Sequence, residues 1–405
     1  MVLPQGYSVR YSWSTPVAMS EPSMIEAEPG IEDIPGLEDE VVDAPGLLKP
    51  WDPQQIRITT KTFTIREIFN QIEEREIDLA PDFQRSFVWK PKKQVLLIES
   101  IILGIPLPAF YFNQDEFGAY QVIDGVQRLT TIRLFMANEL SLEETHLAYL
   151  KDLTGQTFGS LEAPMKRRFA ATQIVAHVIE PQTPAELKFD IFNRVNTGGE
   201  PLSAQEIRHC MSKEPSRLLL HALVTRPSFD AATGYLFFSR DQSGARTRDN
   251  RRMADRELAL RFCAFRMSTI ADYEDASSLD GFLLDVTRRI DFELSDAELT
   301  ALRVSFDQAM TNSNEILGDA AFRRWRPDAA RRGPINRAVF ESQALALAGY
   351  TLAELLPHAA MIKDAFRSLF DLEEYDSAVR FGTGDPRKIE RRLGITKATI
   401  EAILA

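Results

Sequence analysis

The spacing of apolar residues constrains the fold of this chain most strongly, because its character changes once along the sequence. Between residues 56 and 212, short apolar runs typical of β-strands alternate with stretches of helical spacing, whereas after residue 212 the spacing is almost entirely helical. This pattern predicts an α+β fold, with few short strands first and a mainly α-helical part after them. The helices predicted in the second part cover residues 252–266, 278–290, 296–316, 334–350, 352–370 and 386–404.

The first part is predicted to contain three short strands and four helices. The strands are expected at residues 109–112, 120–123 and 173–179. One helix is expected to begin after Thr64, because Thr64 and Glu67 have the spacing of a capping box. The other helices are expected at residues 94–103, 127–137 and 185–195.

Shifts in composition divide the chain into three predicted segments. Residues 1–55 form an acidic arm rich in Pro and Gly, which we expect to be disordered. Residues 56–227 are predicted to be an α/β domain and residues 228–405 a helical domain. The boundary is set at residues 228–244, an irregular bridge with one candidate strand at 235–238.

A short phrase recurs in the acidic arm. Pro-Gly-Ile-Glu-Asp at residues 29–33 is followed by Pro-Gly-Leu-Glu-Asp at 35–39 and by Pro-Gly-Leu at 45–47. Two interpretations remain open: a solvating tail, or an acidic peptide that docks on a partner or covers a basic groove of the same chain.

The net charge of −12 does not exclude a nucleic acid or nucleotide partner. The arm holds ten acids and only Arg10 and Lys49 as bases, so it carries −8, and the remaining residues carry only −4. Arginines of the body can therefore cluster on one face and attract phosphates.

The two cysteines and the hydropathy indicate where the protein works. Cys210 and Cys263 lie far apart without a CxxC or Cys/His spacing, which disfavours both a disulfide scaffold and a zinc site. No apolar stretch approaches the roughly 20 residues that span a bilayer, and the first residues lack the order of a signal peptide. We therefore expect a cytoplasmic protein without membrane contact.

The sequence at residues 120–129 carries the strongest signal for chemistry. An apolar strand runs into Asp124 and Gly125 and then into a helix from about Gln127, an arrangement in which backbone N–H groups can face a bound anion. Asp124 is the candidate ligand of a magnesium ion or the acceptor of a proton from water, and Gln127 can orient that water. Arg128 offers a planar, charged fork for phosphate oxygens, a contact worth about 1.5–3 kcal/mol when dry.

Two further stretches are candidates for the same site. Residues 81–89 place Gln84 and Arg85 beside an acid, and Arg85 is a second candidate for binding phosphate. Residues 192–203 read as a helix end, a Gly-Gly loop and a new helix capped by Ser203. If that joint packs against the Asp124 turn, Asn196 and Thr197 lie beside any ligand bound there.

Together these stretches resemble the ParB-like family numbered 262 among domains of unknown function, the N-terminal domain of GmrSD-type modification-dependent restriction enzymes. The resemblance rests on residues 81–89, 97–108, 122–129 and 192–203 and covers roughly residues 60–215. It implies a ParB/sulfiredoxin-like fold, nucleotide binding and hydrolysis or DNA processing, and a role in prokaryotic defence. It carries site roles onto Gln84, Arg85, Asp124, Gly125, Gln127 and Arg128, with a nucleoside triphosphate and Mg²⁺ as the implied ligands.

Two features depart from that family. Its usual Asp-Gly-Gln-Gln-Arg reads Asp-Gly-Val-Gln-Arg here, so Val126 stands where a first Gln is expected. Val126 either removes a ligand group or packs in the core. The five histidines are dispersed, so no C-terminal His-Asn-His nuclease domain is expected.

Arginine groups in the second part are candidates for contacts with DNA. One group lies in what we expect to be a flexible loop at residues 240–252, and the other interleaves arginines with Trp325. The last residues, 393–400, resemble a helix-turn-helix phrase with Gly394 at the bend, a signal too short to carry weight. The candidate contacts are Arg246, Arg248, Arg251, Arg252, Arg323, Arg324 and Arg326.

Three hypotheses of function follow from these signals. The first is a nucleotide-hydrolysing DNA sensor of an anti-phage restriction system, which signals to a nuclease or another partner protein and in which Arg128→Ala abolishes hydrolysis but leaves folding largely intact. The second is a nuclease or base-excising enzyme that uses Asp124. The third is a non-catalytic module that binds DNA or a partner, and whether the chain forms a homodimer stays open in all three.

Overall fold

A computed structural model describes residues 36–38, 55–79, 89–195, 202–240, 244–249, 251–276 and 278–405. Its first part is built on a mixed sheet of five strands in the order β1-β5-β3-β4-β2. The strands are β1 (Ile58–Thr64), β2 (Ile77–Asp78), β3 (Phe110–Gln114), β4 (Tyr120–Asp124) and β5 (Gln173–Ile179).

The pairing of the strands determines on which side of the sheet β2 and β4 end. β3 and β4 form an antiparallel hairpin, and β5 runs antiparallel to β1 and parallel to β3. β2 runs parallel to β4, with Asp78 opposite Gln121. Because two parallel strands end at the same edge, the chain leaves β2 and β4 on the same side of the sheet.

Helices cover both faces of this sheet. Alternate residues of a strand point to opposite faces, so Val122 of β4 joins one apolar cluster and Ile123 joins the other. The first cluster contains residues of α1 to α4, and the second contains residues of α5 and α6. These helices are α1 (Ile65–Glu73), α2 (Pro91–Leu103), α3 (Val126–Met136), α4 (Ala163–Ala171), α5 (Ala185–Val195) and α6 (Ala204–Met211).

The second part is a helical assembly around two buried helices, α9 and α13. Every residue of α9 from Ala254 to Phe265 is buried, as is nearly all of α13. The helices are α7 (Glu214–Val224), α8 (Pro227–Ala232), α9 (Ala254–Met267), α10 (Ile270–Glu274), α11 (Leu279–Phe292), α12 (Asp296–Asn312), α13 (Arg337–Leu347), α14 (Leu352–Leu355), α15 (Ala359–Ser368), α16 (Glu373–Arg380) and α17 (Pro386–Leu404).

The α+β fold class predicted from the sequence is confirmed, and several elements match closely. β5, α5 and α17 have the predicted bounds, and α1 begins at a Thr64–Glu67 capping box. The helix predicted at 352–370 is instead broken into short pieces, because Pro357 lacks the N–H that a continuous helix needs. The helix predicted at 296–316 ends at Asn312 and continues as a π-helical turn over Ser313–Leu317.

Other sequence expectations differ from the structure. α17 runs without a break through Gly394, so the helix-turn-helix interpretation is wrong. The candidate strand at 235–238 begins only at its last residue, as β6 (Phe238–Arg240), and pairs with β7 (Arg246–Arg248). Arg240 and residues 246–248 of the predicted flexible loop therefore belong to an antiparallel ribbon, and Arg251 and Arg252 begin a 3-10 helix.

The apolar clusters show where each helix is anchored. Leu219 and Leu220 of α7 and Phe229 of α8 pack in the large helical cluster, although α7 falls inside the predicted segment 56–227. Of the predicted disordered arm, residues 1–35 and 39–54 lie outside the described residues, whereas residues 36–38 are ordered against the helical part.

Within the described chain, no single helix is long and apolar enough to cross a membrane. One pair, Arg337–Leu347 with Leu352–Asp371, passes by length and composition alone but is bent by 97°.

Candidate functional site

The turn between β4 and α3 is built around a glycine that another residue could not replace without strain. Gly125 has φ +99°, in the left-handed region that L side chains rarely adopt. A Cβ at this position would lie 2.3 Å from Cδ1 of Phe110, a buried side chain of β3. The tight turn and the close packing on Phe110 therefore both require glycine.

The N-terminus of α3 is not capped by a side chain. α1 and α6 begin with complete capping boxes, Thr64 with Glu67 and Ser203 with Glu206, whereas the N-cap of α3 is Gly125. The first N–H groups of a helix have no acceptor inside the helix, and they carry the positive end of its dipole. The start of α3 can therefore bind an anion through its backbone.

Asp124 and Arg128 flank this helix start and bind each other. Nη2 of Arg128 donates to Oδ2 of Asp124 over 2.8 Å. The Asp124 side chain remains 40% exposed, while that of Arg128 is only 12% exposed. Asp124 is thus accessible to a ligand from solvent, and Arg128 holds it in place.

The guanidinium of Arg128 makes several further contacts with the protein. It donates to the carbonyl oxygens of Pro108 and Ala109, and it lies 4.2 Å from the ring centroid of Phe110. Burial lowers the pKa of Arg128, and the negative charge of Asp124 opposes that shift. Because its donors are directed at protein groups, Arg128 ties α3 to the start of β3, a role that the sequence analysis did not anticipate.

Gln127 and Val126 sit in the first turn of α3 with different surroundings. The side-chain oxygen of Gln127 is buried, and no described residue donates a hydrogen bond to it. Such a group is costly to bury, so it is a candidate for contact with a bound ligand or water. Val126 packs against the apolar cluster of the first part, which is the second of the two alternatives considered for it.

Gln84 and Arg85 lie outside the described residues, but their segment follows β2. β2 ends at Asp78, which pairs with Gln121 three residues before Asp124. The segment therefore leaves the sheet at the edge where β4 ends. The predicted phosphate contacts of Gln84 and Arg85 stay predictions.

Asn196 and Thr197 also lie outside the described residues, whereas α5 and α6, the helices before and after them in the chain, are described. Phe192 of α5 and Ile207 of α6 share an apolar cluster with Ile123, the neighbour of Asp124. α5 and α6 thus pack against β4, which is the condition on which the prediction for Asn196 and Thr197 depends. Their contact with a ligand stays a prediction.

The described residues do not form a cage for a resident metal ion. In the described ranges, no three His, Cys, Asp or Glu side chains are grouped to hold one. At the candidate site the described carboxylate is Asp124, with one oxygen bound to Arg128. The magnesium ion expected at Asp124 stays a prediction.

The arginines proposed to contact DNA differ in how far the protein already engages them. Arg246 is exposed and lies over the Tyr235 ring, while Arg248 is paired with Asp230. Arg252 lies 3.6 Å from Glu206, and the Arg251 side chain lies outside the described residues. DNA contact by this group stays a prediction, and Arg246 is the most accessible of its described side chains.

The second arginine group lies between α12 and α13. Arg323 donates to the carbonyl of Gly333, and burial is the main cause that lowers its pKa. Arg324 bridges Glu38 and Asp376 at 3.2 and 3.0 Å. Arg326 is half exposed and lies 3.5 Å from Asp376, so it is the most available of the three for a phosphate.

Sequence reasoning missed the contribution of residues 108–110 to the site. The carbonyls of Pro108 and Ala109 and the ring of Phe110 hold Arg128 from a segment about 20 residues away. The only signal in the sequence was the run Gly-Ile-Pro-Leu-Pro at residues 104–108, which is similar to a motif of the family. That motif does not indicate a contact with Arg128.

The fold and site thus define an α+β domain with an uncapped helix start behind an acidic turn. Residues 65–212 of this domain match the family model described as GmrSD restriction endonuclease, N-terminal domain. This match confirms the resemblance inferred from the motifs, and it extends from the start of α1 to the residue after α6. No curated protein matches the chain.

Proposed function

We propose that the α/β part binds and hydrolyses a nucleoside triphosphate, and that the chain acts as a DNA-responsive sensor in a restriction defence system. The observation that carries the proposal is the uncapped N-terminus of α3, which follows a left-handed glycine at the end of β4. Nucleotide-binding domains commonly place phosphates at such a strand–turn–helix junction.

Charge at the junction supports a phosphate ligand. Asp124 is balanced by Arg128 at 2.8 Å, so the positive end of the α3 dipole is not cancelled by a free carboxylate. The phosphates would lie against the backbone N–H groups of the first turn, with Arg85 and Gln84 approaching from the segment after β2. Asn196 and Thr197 would approach from the joint between α5 and α6.

The proposed chemistry assigns one role to each side chain of the turn. Asp124, accessible and fixed by Arg128, accepts the proton of the attacking water or contacts the magnesium ion of the bound nucleotide. The buried amide oxygen of Gln127 orients that water, and Arg128 acts as a positioning residue.

The nucleotide state would be transmitted to the helical part through α6 and α7. The N-cap Ser203 of α6 donates to the carbonyl of Arg252, and Arg217 of α7 pairs with Asp78 of β2 at 3.1 Å. A change at the end of β2 or at the start of α6 would therefore shift helices that precede the ribbon of β6 and β7 through these hydrogen bonds. The shifted helices would in turn act on DNA, a nuclease partner or a second copy of the chain.

The family match favours a second candidate, in which this domain acts on DNA itself with Asp124 as its catalytic carboxylate. The exposed Arg246 and half-exposed Arg326 are suited to hold a DNA backbone in either case. Strand scission or base release by the purified protein, lost in Asp124→Asn, would establish the second candidate. A non-catalytic module would bind DNA or nucleotide but would neither cleave the DNA nor hydrolyse the nucleotide.

Equilibrium binding of ATP, GTP, CTP and UTP to the full chain tests the nucleotide site. Because Gln127 orients the attacking water, we expect Gln127→Leu, which keeps the volume but removes the amide, to leave the affinity for the preferred nucleotide nearly unchanged and to slow phosphate release at least tenfold. Gln71→Leu is the matched control, because Gln71 also has a buried side-chain oxygen without a described partner but lies on α1. Equal rates of phosphate release by the two variants would contradict the assignment of Gln127.

A further inference from the structure

Three residues of the acidic arm bind the helical part as a short strand. The N–H of Glu38 donates to the carbonyl of Ile335 over 2.7 Å, and the N–H of Ile335 donates to the carbonyl of Gly36 over 2.9 Å. Leu37 and Ile335 thereby form a parallel bridge, and Ile335 also pairs with Arg323 on its other side. The arm segment thus extends an existing strand pairing, which is a common mode of peptide recognition.

Each of the three residues is recognised by a different feature of the protein. Leu37 is 6% exposed and belongs to the large apolar cluster of the helical part. Gly36 has φ +95°, which disfavours any other residue at that position. Backbone pairing gives affinity in such sites, and the pocket for the aliphatic side chain gives specificity.

The carboxylate of Glu38 is bound on both of its oxygens. Oε1 lies 3.2 Å from Nη1 of Arg324, and Oε2 accepts from Nδ2 of Asn336 at 3.2 Å. Arg337 donates to the backbone carbonyl of the same residue over 3.1 Å. Glu38 also borders a cavity of about 410 Å³ that is lined by Arg324, Arg326, Arg331, Arg332 and Asp376. A peptide with an acid at this position therefore meets an excess of positive charge.

The sequence supplies the pattern that this site selects more than once. Gly36–Glu38 belong to the copy Pro-Gly-Leu-Glu-Asp at residues 35–39, and Pro-Gly-Ile-Glu-Asp at 29–33 has the same order of glycine, aliphatic residue and acid. The third copy, Pro-Gly-Leu-Leu at 45–48, lacks the acid. The chain thus contains two matching peptides and one natural mismatch.

We propose that Ile335, Arg324, Asn336 and Arg337 form a binding site for peptides of the pattern Gly-aliphatic-Glu. Gly36–Glu38 fills this site within the chain, and a peptide with the same pattern from another chain displaces it. The site is separate from the Asp124 turn and does not depend on nucleotide binding there.

Fluorescence anisotropy with labelled peptides tests this site on the full chain. Leu37→Asp removes the internal ligand, so we expect a labelled peptide of residues 34–40 to bind this variant at least tenfold more tightly than wild type. An unlabelled peptide of residues 28–34 should compete, whereas a peptide of residues 44–50 should not. Failure of the peptide to bind the folded variant, or equal competition by residues 44–50, would overturn the proposal.

Two further measurements keep the test decisive if Leu37→Asp unfolds. Glu38→Gln retains the buried leucine but weakens the contacts of the carboxylate, so it too should bind the peptide more tightly than wild type. In the wild-type chain, the amide hydrogens of Glu38 and Ile335 should exchange slowly with solvent. Rapid exchange of both amides would show that the arm does not occupy the site and would overturn the proposal.

Discussion

Arg128 fixes Asp124 across the Gly125 turn, with 2.8 Å between Nη2 and Oδ2, while its other donors hold the backbone of Pro108 and Ala109. One largely buried guanidinium therefore connects the end of β4, the first turn of α3 and the start of β3. The accessible carboxylate of the site owes its position to an arginine that the sequence alone suggested as a phosphate ligand.

Replacing Arg128 should destabilise the fold as well as the site. We expect Arg128→Ala to lower the free energy of unfolding by on the order of 2–3 kcal/mol, because it removes charge-assisted hydrogen bonds and leaves two carbonyls unpaired. Urea denaturation measures this change. This expectation differs from the sequence-based one, in which the variant folds almost normally.

Arg133→Ala on the same helix is the control for that measurement. Arg133 pairs with Glu139 at 2.9 Å near the surface, where such a pair contributes at most about 1 kcal/mol. Equal losses in the two variants would show that Arg128 has no special structural role.

The buried ion cluster on α13 should be essential for the helical part. Glu341 is fully buried and pairs with Arg261 at 2.8 Å and with the fully buried Arg392. Removing one partner leaves a buried charge uncompensated, so we expect Arg392→Met to cost about 3–5 kcal/mol in urea denaturation.

Lys397→Ala tests the same helix, α17, at its surface. Lys397 lies 3.8 Å from Glu401, and both side chains are more than half exposed. Lys397→Ala should therefore change the free energy of unfolding by close to zero. A small effect of Arg392→Met would contradict the importance of the buried cluster.

His209 should make the protein sensitive to mild acid. Burial, together with the positive charges of Arg217 and Arg256, lowers the pKa of His209 to about 2. The unfolded chain binds a proton at this histidine below about pH 6.5 and the folded chain does not, so stability is lost as the pH falls below that value.

His209→Asn should remove that contribution. Between pH 7.5 and 5, wild type should lose up to about 2 kcal/mol more free energy of unfolding than the variant. Comparing the two proteins cancels other titrating groups, including Asp255, whose pKa burial raises to about 6. Parallel pH profiles would contradict a neutral, buried His209.

Local signals in the sequence predicted local structure well. The capping boxes at Thr64 and Ser203, the turn from β4 into α3 at Asp124 and Gly125 and the strand at residues 173–179 all depend on residues close together in the chain. The fold class and the bounds of α5 and α17 followed from periodicity for the same reason.

Contacts between distant residues could not be predicted from the sequence. Pro108 and Ala109 hold Arg128 from 20 and 19 residues away, and Glu38 meets Arg324 across 286 residues. The residues next to an arginine in the sequence do not show whether its guanidinium binds a backbone carbonyl or is free to bind a phosphate. The sequence left open whether the arm is a solvating tail or covers a basic groove of the same chain, and it could not show that Leu37 is buried.

Release of phosphate from ATP, GTP, CTP and UTP, with magnesium and with or without plain or modified duplex DNA, tests the central claim most directly. DNA damage should be scored in the same reactions, with wild type, Asp124→Asn and, as a control, the exposed Asp152→Asn. We expect wild type and Asp152→Asn to release phosphate in a DNA-dependent manner and Asp124→Asn to do so at least a hundredfold more slowly. No release by wild type under any condition, or undiminished release by Asp124→Asn, would contradict nucleotide hydrolysis at the Asp124 turn.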